Sequence, residues 1–368
     1  MDFRIEKNQL LRGLYLASGI ADRKSTMPIL ANVLLRTDGK DRVLCAATDL
    51  HLALLATLPA KVTVEGGLTL GARQFHEIIK GLPDDEIHIR RNEQNWAEIA
   101  SRRTEFKLVG MPDREYPKLP AVSEAKLHSV DSKTLLDMLS KTAISVSTDE
   151  TRQHLAGVLF ESDGQNARMV STDGHRLSKI GRALEGGPVL ERGVLIPRKG
   201  VAELRRVLEG REGRSEIGVH QGHFVLRAEE VALTVKLNEG QFPPYDQVIP
   251  KDNERVLTVP RNDLLDAFRR VAIMASDKTM GVRVGLDKGT LSVEADNPDL
   301  GNAREKLDVP EYKGGAVQVG FNARYFIDIL TEIESTDVQL ELAGELDPAV
   351  VRPADGSDYL GVIMPMRL

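Results

Sequence analysis

Apolar residues recur at helical spacing in six short stretches of this chain, and between those stretches they alternate at the two-residue spacing of strands. The helical stretches are 8–17, 72–81, 133–142, 198–209, 261–272 and 322–333. Each is apolar on one face and polar on the other, so each must bury its stripe against a sheet. Alternation is clearest at Phe224 and Leu226 and at Val231, Leu233, Val235 and Leu237, which read as a hairpin turning at Glu229-Glu230. Leu340 to Val351 and Tyr359 to Met364 read the same way.

The pattern occurs three times, at intervals of about 125 residues. Leucine pairs open the first helix of each copy, at Leu10-Leu11, Leu135-Leu136 and Leu264-Leu265. After that helix Ile29-Leu30-Ala31-Asn32-Val33-Leu34 matches His154-Leu155-Ala156-Gly157-Val158-Leu159 in register. A Thr-Asp-x-His tetrad follows at Thr48-Asp49-Leu50-His51 and at Thr172-Asp173-Gly174-His175, whereas the third copy has Ala295-Asp296-Asn297-Pro298 in roughly that place. Aromatic-proline pairs close the first two copies, at Tyr116-Pro117 and Phe242-Pro243. Chance explains one matched element but not a series in constant order. The expectation is an α+β fold of three tandem domains, 1–122, 126–250 and 254–368, each with two helices on antiparallel sheet. Linkers fall near 121–126 and 250–255, where proline and charge replace the period.

Composition narrows the class. With 368 residues, 41% hydrophobic and 28% charged, the chain is globular and too long for one ordinary core. No apolar run is long enough to span a bilayer, the first ten residues carry no signal-peptide core, and one cysteine, Cys45, cannot form an intramolecular disulfide. The cytoplasm is the expected compartment. The six helices carry 13 Lys and Arg against 8 Asp and Glu, net +5 on a chain of net −6. Two readings stand at this point. Basic residues commonly populate exposed helix faces; alternatively, helices gathered on one side would form a cationic lining for a polyanion.

Catalytic patterns are absent: no phosphate-binding loop, dinucleotide fingerprint, HExxH, paired CxxC or GxSxG. His175 with Asp173 has the chemistry of an acid-base pair, but Thr-Asp-Gly-His also suits a tight turn with Gly174 at positive φ, and its echo at His51 favours the turn. The eight histidines lack ligand spacing, so neither a metal nor a cofactor is expected. A nuclease would need clustered carboxylates for metal ions, which the sequence lacks, and a repeat scaffold that ignores DNA would need no cationic helices.

Thr172-Asp173-Gly174-His175-Arg176-Leu177, the helix start Pro197-Arg198-Lys199-Gly200, Gly320-Phe321-Asn322 and the terminal Met364-Pro365-Met366-Arg367-Leu368 resemble the β subunit of bacterial DNA polymerase III, the sliding-clamp family, over the whole chain. The resemblance implies a non-enzymatic processivity subunit. On that resemblance it would form a head-to-tail homodimer, a six-domain ring with helices inside and sheets outside that encircles duplex DNA without reading its sequence. Replicative polymerase, clamp loader and repair polymerases are the implied protein partners, bound through linear peptide motifs, with no membrane partner.

By the same resemblance, DNA contacts fall at Arg23 or Lys24, at Arg73, Arg198, Lys199 and Arg269, and at Arg152 and His154 in a loop that lacks the family's usual tyrosines. The subunit interface would use Arg102, Arg103, Phe106 and Leu108 on one edge and Ile273, Met274, Asp299 and Glu305 on the other. A partner-peptide groove between the second and third domains would be lined by Leu155, Thr172, Gly174, His175, Arg176, Leu177, Pro243, Val248, Val362 and Met364. An adjoining part would use Arg152, Asn322, Tyr325, Leu346, Pro348, Pro365, Met366 and Arg367. Methionines suit such a surface because their flexible side chains adapt to varied guests, and Arg176 or Arg367 would fix polar groups of the guest.

Overall fold

The computed structural model describes residues 1–22, 24–120, 125–149, 151–251 and 253–368, so Arg23 lies outside the described residues. Six α-helices are present among them: α1 (Lys7–Ile20), α2 (Ala72–Gly81), α3 (Ser132–Ala143), α4 (Arg198–Leu208), α5 (Arg261–Ala272) and α6 (Ala323–Glu332). Each matches a predicted stretch. The largest difference is at α1, which runs on to Ile20 because Leu16, Ala17 and Ile20 continue its buried stripe.

Every helix starts on the residue after a strand, with no intervening loop. Such a junction leaves the first helical N–H groups without carbonyl partners, and local oxygens take some of them up. Asn322 Oδ1 accepts from the Arg324 N–H at 2.9 Å, and Asp131 Oδ1 accepts from the Thr134 N–H at 2.7 Å.

The Thr-Asp-x-His tetrads are hairpin turns. Asp49 Oδ1 accepts from the N–H groups of His51 and Leu52 at 2.9 and 2.6 Å, and Asp173 Oδ1 accepts from those of His175 and Arg176 at 2.9 and 3.0 Å. The hydroxyls of Thr48 and Thr172 both donate to a carbonyl four residues on, at 2.7 Å. Gly174 takes φ +91°, as the turn demands; Leu50, its counterpart, is forced to +75°. The tetrad therefore recurs for a folding reason.

Contacts divide the chain into two compact units. One holds residues 1–136, 186–188 and 199–237; the other holds 137–185, 189–198 and 238–368. Within the first, one antiparallel sheet of thirteen strands runs His128–Asp131, Arg214–His220, His223–Ala228, Val231–Lys236, Leu52–Pro59, Arg42–Thr48, Asn32–Asp38, Gly67–Gly71, Thr104–Met111, Trp96–Ser101, Glu86–Arg91, Asp2–Glu6, Lys61–Val64. The first and second repeats meet in it where Leu52–Pro59 pairs with Val231–Lys236, Leu54 opposite Leu233, both fully buried. Thr104–Met111 reaches Gly67–Gly71 through only two residue pairs, Thr69 with Met111 and Leu70 with Gly110. On that side, residues 104–109 have no strand partner among the described residues.

The second unit carries an eight-stranded sheet, in order Val194–Pro197, Gly157–Ser162, Asn166–Thr172, Arg176–Ala183, Tyr359–Ile363, Ala349–Pro353, Asp337–Leu342, Arg255–Pro260. Here the second and third repeats join, Arg176–Ile180 pairing with Tyr359–Ile363. Gly361 sits on this seam because a Cβ there would come within 2.5 Å of Ile329 on α6. A four-stranded sheet runs Gly301–Asp308, Thr290–Asn297, Gly281–Asp287, Val317–Asn322, and leaves Gly301–Asp308 as an edge. Helices α5 and α6 pack through Phe268 and Phe326, stacked at 4.3 Å, with Phe321 edge-on to Phe326.

Candidate partner groove and nucleic-acid face

The seam between the second and third repeats has a built apolar floor. Leu159, Val170, Leu177, Tyr245, Val350, Leu360 and Val362 form one buried cluster, with Phe242 and Ile249 packed against it. Leu177 and Val362 thus lie in the floor, at 2% and 1% exposure, and Leu155 is buried too. Val248 and Met364 are the exposed apolar groups, at 50% and 39%. Pro243, Pro365 and Met366 are half-buried, and His175 and Arg367 are exposed. Leu346, 71% exposed, sits with half-buried Pro348 in the turn between Asp337–Leu342 and Ala349–Pro353.

The C-terminal segment is pinned from both sides. The N–H of Met364 donates to the His175 carbonyl and that of Met366 to the Gly320 carbonyl, each at 2.8 Å. Gly320 has to be glycine for this, since a Cβ would lie 2.4 Å from the Met366 carbonyl oxygen.

Arg176 is committed to the chain itself. Its guanidinium bonds Asp173 at 3.1 Å and Asp328 at 2.5 Å and lies 4.5 Å from the centroid of the Tyr325 ring, and its side chain is only 11% exposed. It ties the tetrad turn of the second repeat to α6 of the third. A guest's polar groups would therefore meet Arg367, or Arg152, which is exposed and bonded to Asp149 at 3.2 Å. Asp328, Tyr245, Leu360 and Val350 belong to this seam and were not singled out from sequence. A strand-period reading of Leu360 with Val362 in the closing segment would have flagged one of them.

The predicted DNA-contacting residues fall into two groups. Arg73 on α2, Arg198 on α4, and Lys24 and His154 in loops are exposed. Lys199 instead bonds Asp49 at 2.5 Å and the Ile20 carbonyl at 3.3 Å, and Arg269 faces Asp266 at 3.6 Å. Arg206 of α4 is likewise spent, on Glu203 at 3.2 Å and over the Tyr15 ring at 5.1 Å. Part of the helical charge excess thus holds the first seam together. Glu203 is nearly buried there, and desolvation pushes its carboxyl pKa up against the opposing pull of Arg206 and Lys199.

The predicted interface residues lie on or beside the strands Thr104–Met111 and Gly301–Asp308. Phe106, 39% exposed, and half-buried Leu108 point to one face of Thr104–Met111; Arg103 is exposed, and Arg102 bonds Asp85 at 2.6 Å. Ile273, 74% exposed, follows α5, with Met274 half-buried beside it and Asp299 exposed in the turn before Gly301–Asp308. Glu305 bonds Arg270 through both oxygens at 2.9 and 2.5 Å, which holds its carboxyl below the usual range. Cys45 is fully buried, and burial alone pushes its thiol up to about 12, so it is inert at neutral pH. Among the described residues no cluster suits a metal ion and no helix is long and apolar enough to cross a membrane.

A two-helix domain repeated three times, the first and second copies sharing one sheet and the second and third another, with exposed cations on helices, is the architecture of a DNA clamp. Family models for the N-terminal, central and C-terminal domains of the DNA polymerase III beta subunit match residues 1–120, 129–244 and 246–367. The chain belongs to that family and acts as a DNA sliding clamp for the replicative polymerase, an accessory subunit without catalysis of its own. It is 33% identical to the beta sliding clamp of Pseudomonas aeruginosa and 32% identical to that of Escherichia coli K12, over the full length of each chain. Among solved structures it matches the P. aeruginosa clamp bound to griselimycin with TM-score 0.92 at 34% identity, and the Bartonella birtlesii clamp with 0.93 at 32%, again over all of both chains.

Proposed function

We propose that two copies close head to tail into a ring around duplex DNA and hold partner proteins by short linear segments at the seam of the second and third repeats, with domains 1–122, 126–250 and 254–368 and work in the cytoplasm. The observation that carries this reading is the internal repeat of the seams. Leu52–Pro59 follows the first tetrad and Arg176–Ala183 the second; Gly301–Asp308 follows the corresponding turn of the third copy. Their seam partners, Val231–Lys236 and Tyr359–Ile363, correspond to Thr104–Met111 in the first copy. Two of the three seams are therefore made within the chain, and the corresponding strands of the third, Gly301–Asp308 and residues 104–109, each have one side without a strand partner among the described residues. A second copy would pair Gly301–Asp308 with Thr104–Met111 and so bury an exposed edge.

Register follows from the hairpins. Val231 pairs with Ala228 at the turn as Thr104 pairs with Ser101, so Phe106 corresponds to Leu233 and Leu108 to Val235. Those counterparts are fully buried in their closed seam, while Phe106 is exposed in its open one. Ring closure would supply the missing cover. Trapping by topology needs no tight contacts, and Arg73, Arg198, Lys24 and His154 would meet phosphates without reading bases.

Two measurements test this. A ring loaded on circular DNA stays bound through a salt wash and slides off once the circle is cut; equal retention on cut and closed DNA would refute encirclement. For the groove, Val248→Glu with Met364→Glu should abolish polymerase processivity while the dimer and its retention on circles persist. Undiminished processivity would remove the groove from the account.

A further inference from the structure

A cleft of about 450 Å³ opens in the first unit, along the seam of Leu52–Pro59 and Val231–Lys236. Its walls are mainly apolar, with Leu54, Leu55, Leu119, Pro120, Val231 and Ala232 among them. The other seam explains why it is empty. Tyr116-Pro117 and Phe242-Pro243 correspond, so Leu119 stands where the second seam has Tyr245. There the Tyr245 ring is 8% exposed, lies 5.6 Å from the Lys179 ammonium and bonds Arg168 and Glu161 through its hydroxyl at 3.0 and 2.9 Å. In the first seam Leu119 is shorter, and Leu55 replaces Lys179 as the surface a ring would lie on.

We propose that this cleft is a second docking site, which takes an aromatic side chain from an extended segment of a partner protein, with a lysine or arginine beside it. The aromatic follows from the equivalent seam, where the chain seats its own ring in that position. Leu55 in place of Lys179 makes the site more apolar, so phenylalanine suits it as well as tyrosine. The basic neighbour follows from charge at the mouth. Arg227 is matched by Glu216 at 3.5 Å and Glu229 by Arg211 at 2.7 Å. Glu230 adds an exposed acid, fixed there because its carbonyl accepts from the Thr57 N–H at 2.8 Å. The site is separate from the proposed partner groove and does not depend on it.

The test is methyl NMR on the full-length dimer, titrated with an acetylated, amidated pentapeptide Gly-Lys-Phe-Leu-Gly and with its Phe-to-Ala version. The Phe peptide should shift the methyls of Leu55, Leu119 and Val231 saturably, and the Ala version should not. Leu119→Tyr supplies the ring from within, so it should weaken binding about tenfold or more and leave any shifts at Val248 and Met364 unchanged. Ala232→Arg blocks the cleft independently, should Leu119→Tyr fail to fold. Glu230→Gln should weaken binding about threefold at low salt and not at high salt. Equal binding of the two peptides, no saturable shift at those methyls, or undiminished binding in both blocking variants overturns the proposal. So does a mass above the dimer that Leu119→Tyr abolishes, since the occupant would then be another copy of this chain.

Discussion

Phe106→Ala tests the third seam at its most exposed anchor. A phenylalanine buries roughly 150–250 Å² when fully covered, and Phe106 is 39% exposed, so roughly 60–100 Å² remains for a partner to cover. At about 25 cal/mol per Å² that is roughly 1.5–2.5 kcal/mol per seam. A closed dimer has two such seams, so truncation should cost roughly 3–5 kcal/mol of dimer free energy, or between about a hundredfold and a few-thousandfold in Kd. Sedimentation over a dilution series reads this directly, and Trp96→Ala is the control. Trp96 is 41% exposed on the neighbouring strand, but it pairs with Val109 on the opposite sheet face from the Ile99–Phe106 pair, so its loss should leave the dimer unchanged. If Phe106→Ala dissociates at the wild-type concentration, or Trp96→Ala weakens the dimer as much, the seam argument fails.

Arg176→Met strands two part-buried carboxylates, Asp173 and Asp328, and should destabilise the second unit by about 2–4 kcal/mol in urea unfolding. A double-mutant cycle with Asp328→Asn should show coupling of about 1–2 kcal/mol. Leu50→Gly should stabilise the chain by up to about 1 kcal/mol, because it relieves the φ of +75° at that turn, and Gly174→Ala should lower the melting temperature by imposing the same strain. Glu203→Gln addresses pH. Burial raises the folded pKa of this carboxyl, so its contribution to stability is fully present below the unfolded value and is lost as pH rises through the folded one. The variant should therefore melt higher than wild type at pH 7, and the difference should vanish as pH falls below the ordinary glutamate range. A difference that grows on acidification would contradict the desolvation argument.

The periodic part of the architecture was legible in the sequence, because a repeated one-faced helix and a repeated turn leave local signals. All six helices and the Glu229-Glu230 hairpin lie where spacing puts them, and the tetrad is the turn that its Gly174 suggested. Illegible were the pairings made across long chain separations. Arg176 finds Asp328 and Lys199 finds Asp49 only once two repeats are joined, and nothing in local spacing marks a cation as already spent. The same holds for depth. Leu177, Val362, Val248 and Met364 look alike as apolar letters, yet the first two form a floor and the last two remain exposed. Depth depends on the strand pairing of Arg176–Ile180 with Tyr359–Ile363, which is a property of the folded sheet.

A domain used three times gives identical frames at each seam, so differences between seams are where function can diverge without cost to the fold. The turn tip is Gly174 in one seam and Leu50 in the other. The glycine leaves that tip without a side chain, beside the Met364 backbone held by His175; the leucine accepts a left-handed backbone and stands 55% exposed. The ring position is Tyr245 in one and Leu119 in the other, so one seam fills its own cleft and the other leaves it open. The cation over an aromatic is Arg176 on Tyr325 in one, a strand residue on α6, and Arg206 on Tyr15 in the other, α4 on α1, different elements that serve the same end of locking two repeats. Rigidity is thus kept at both seams by unrelated residues, while the surface beside each lock differs. That is the pattern expected when seam geometry is constrained by the need to hold adjoining domains in one continuous sheet and seam chemistry is left free to choose partners.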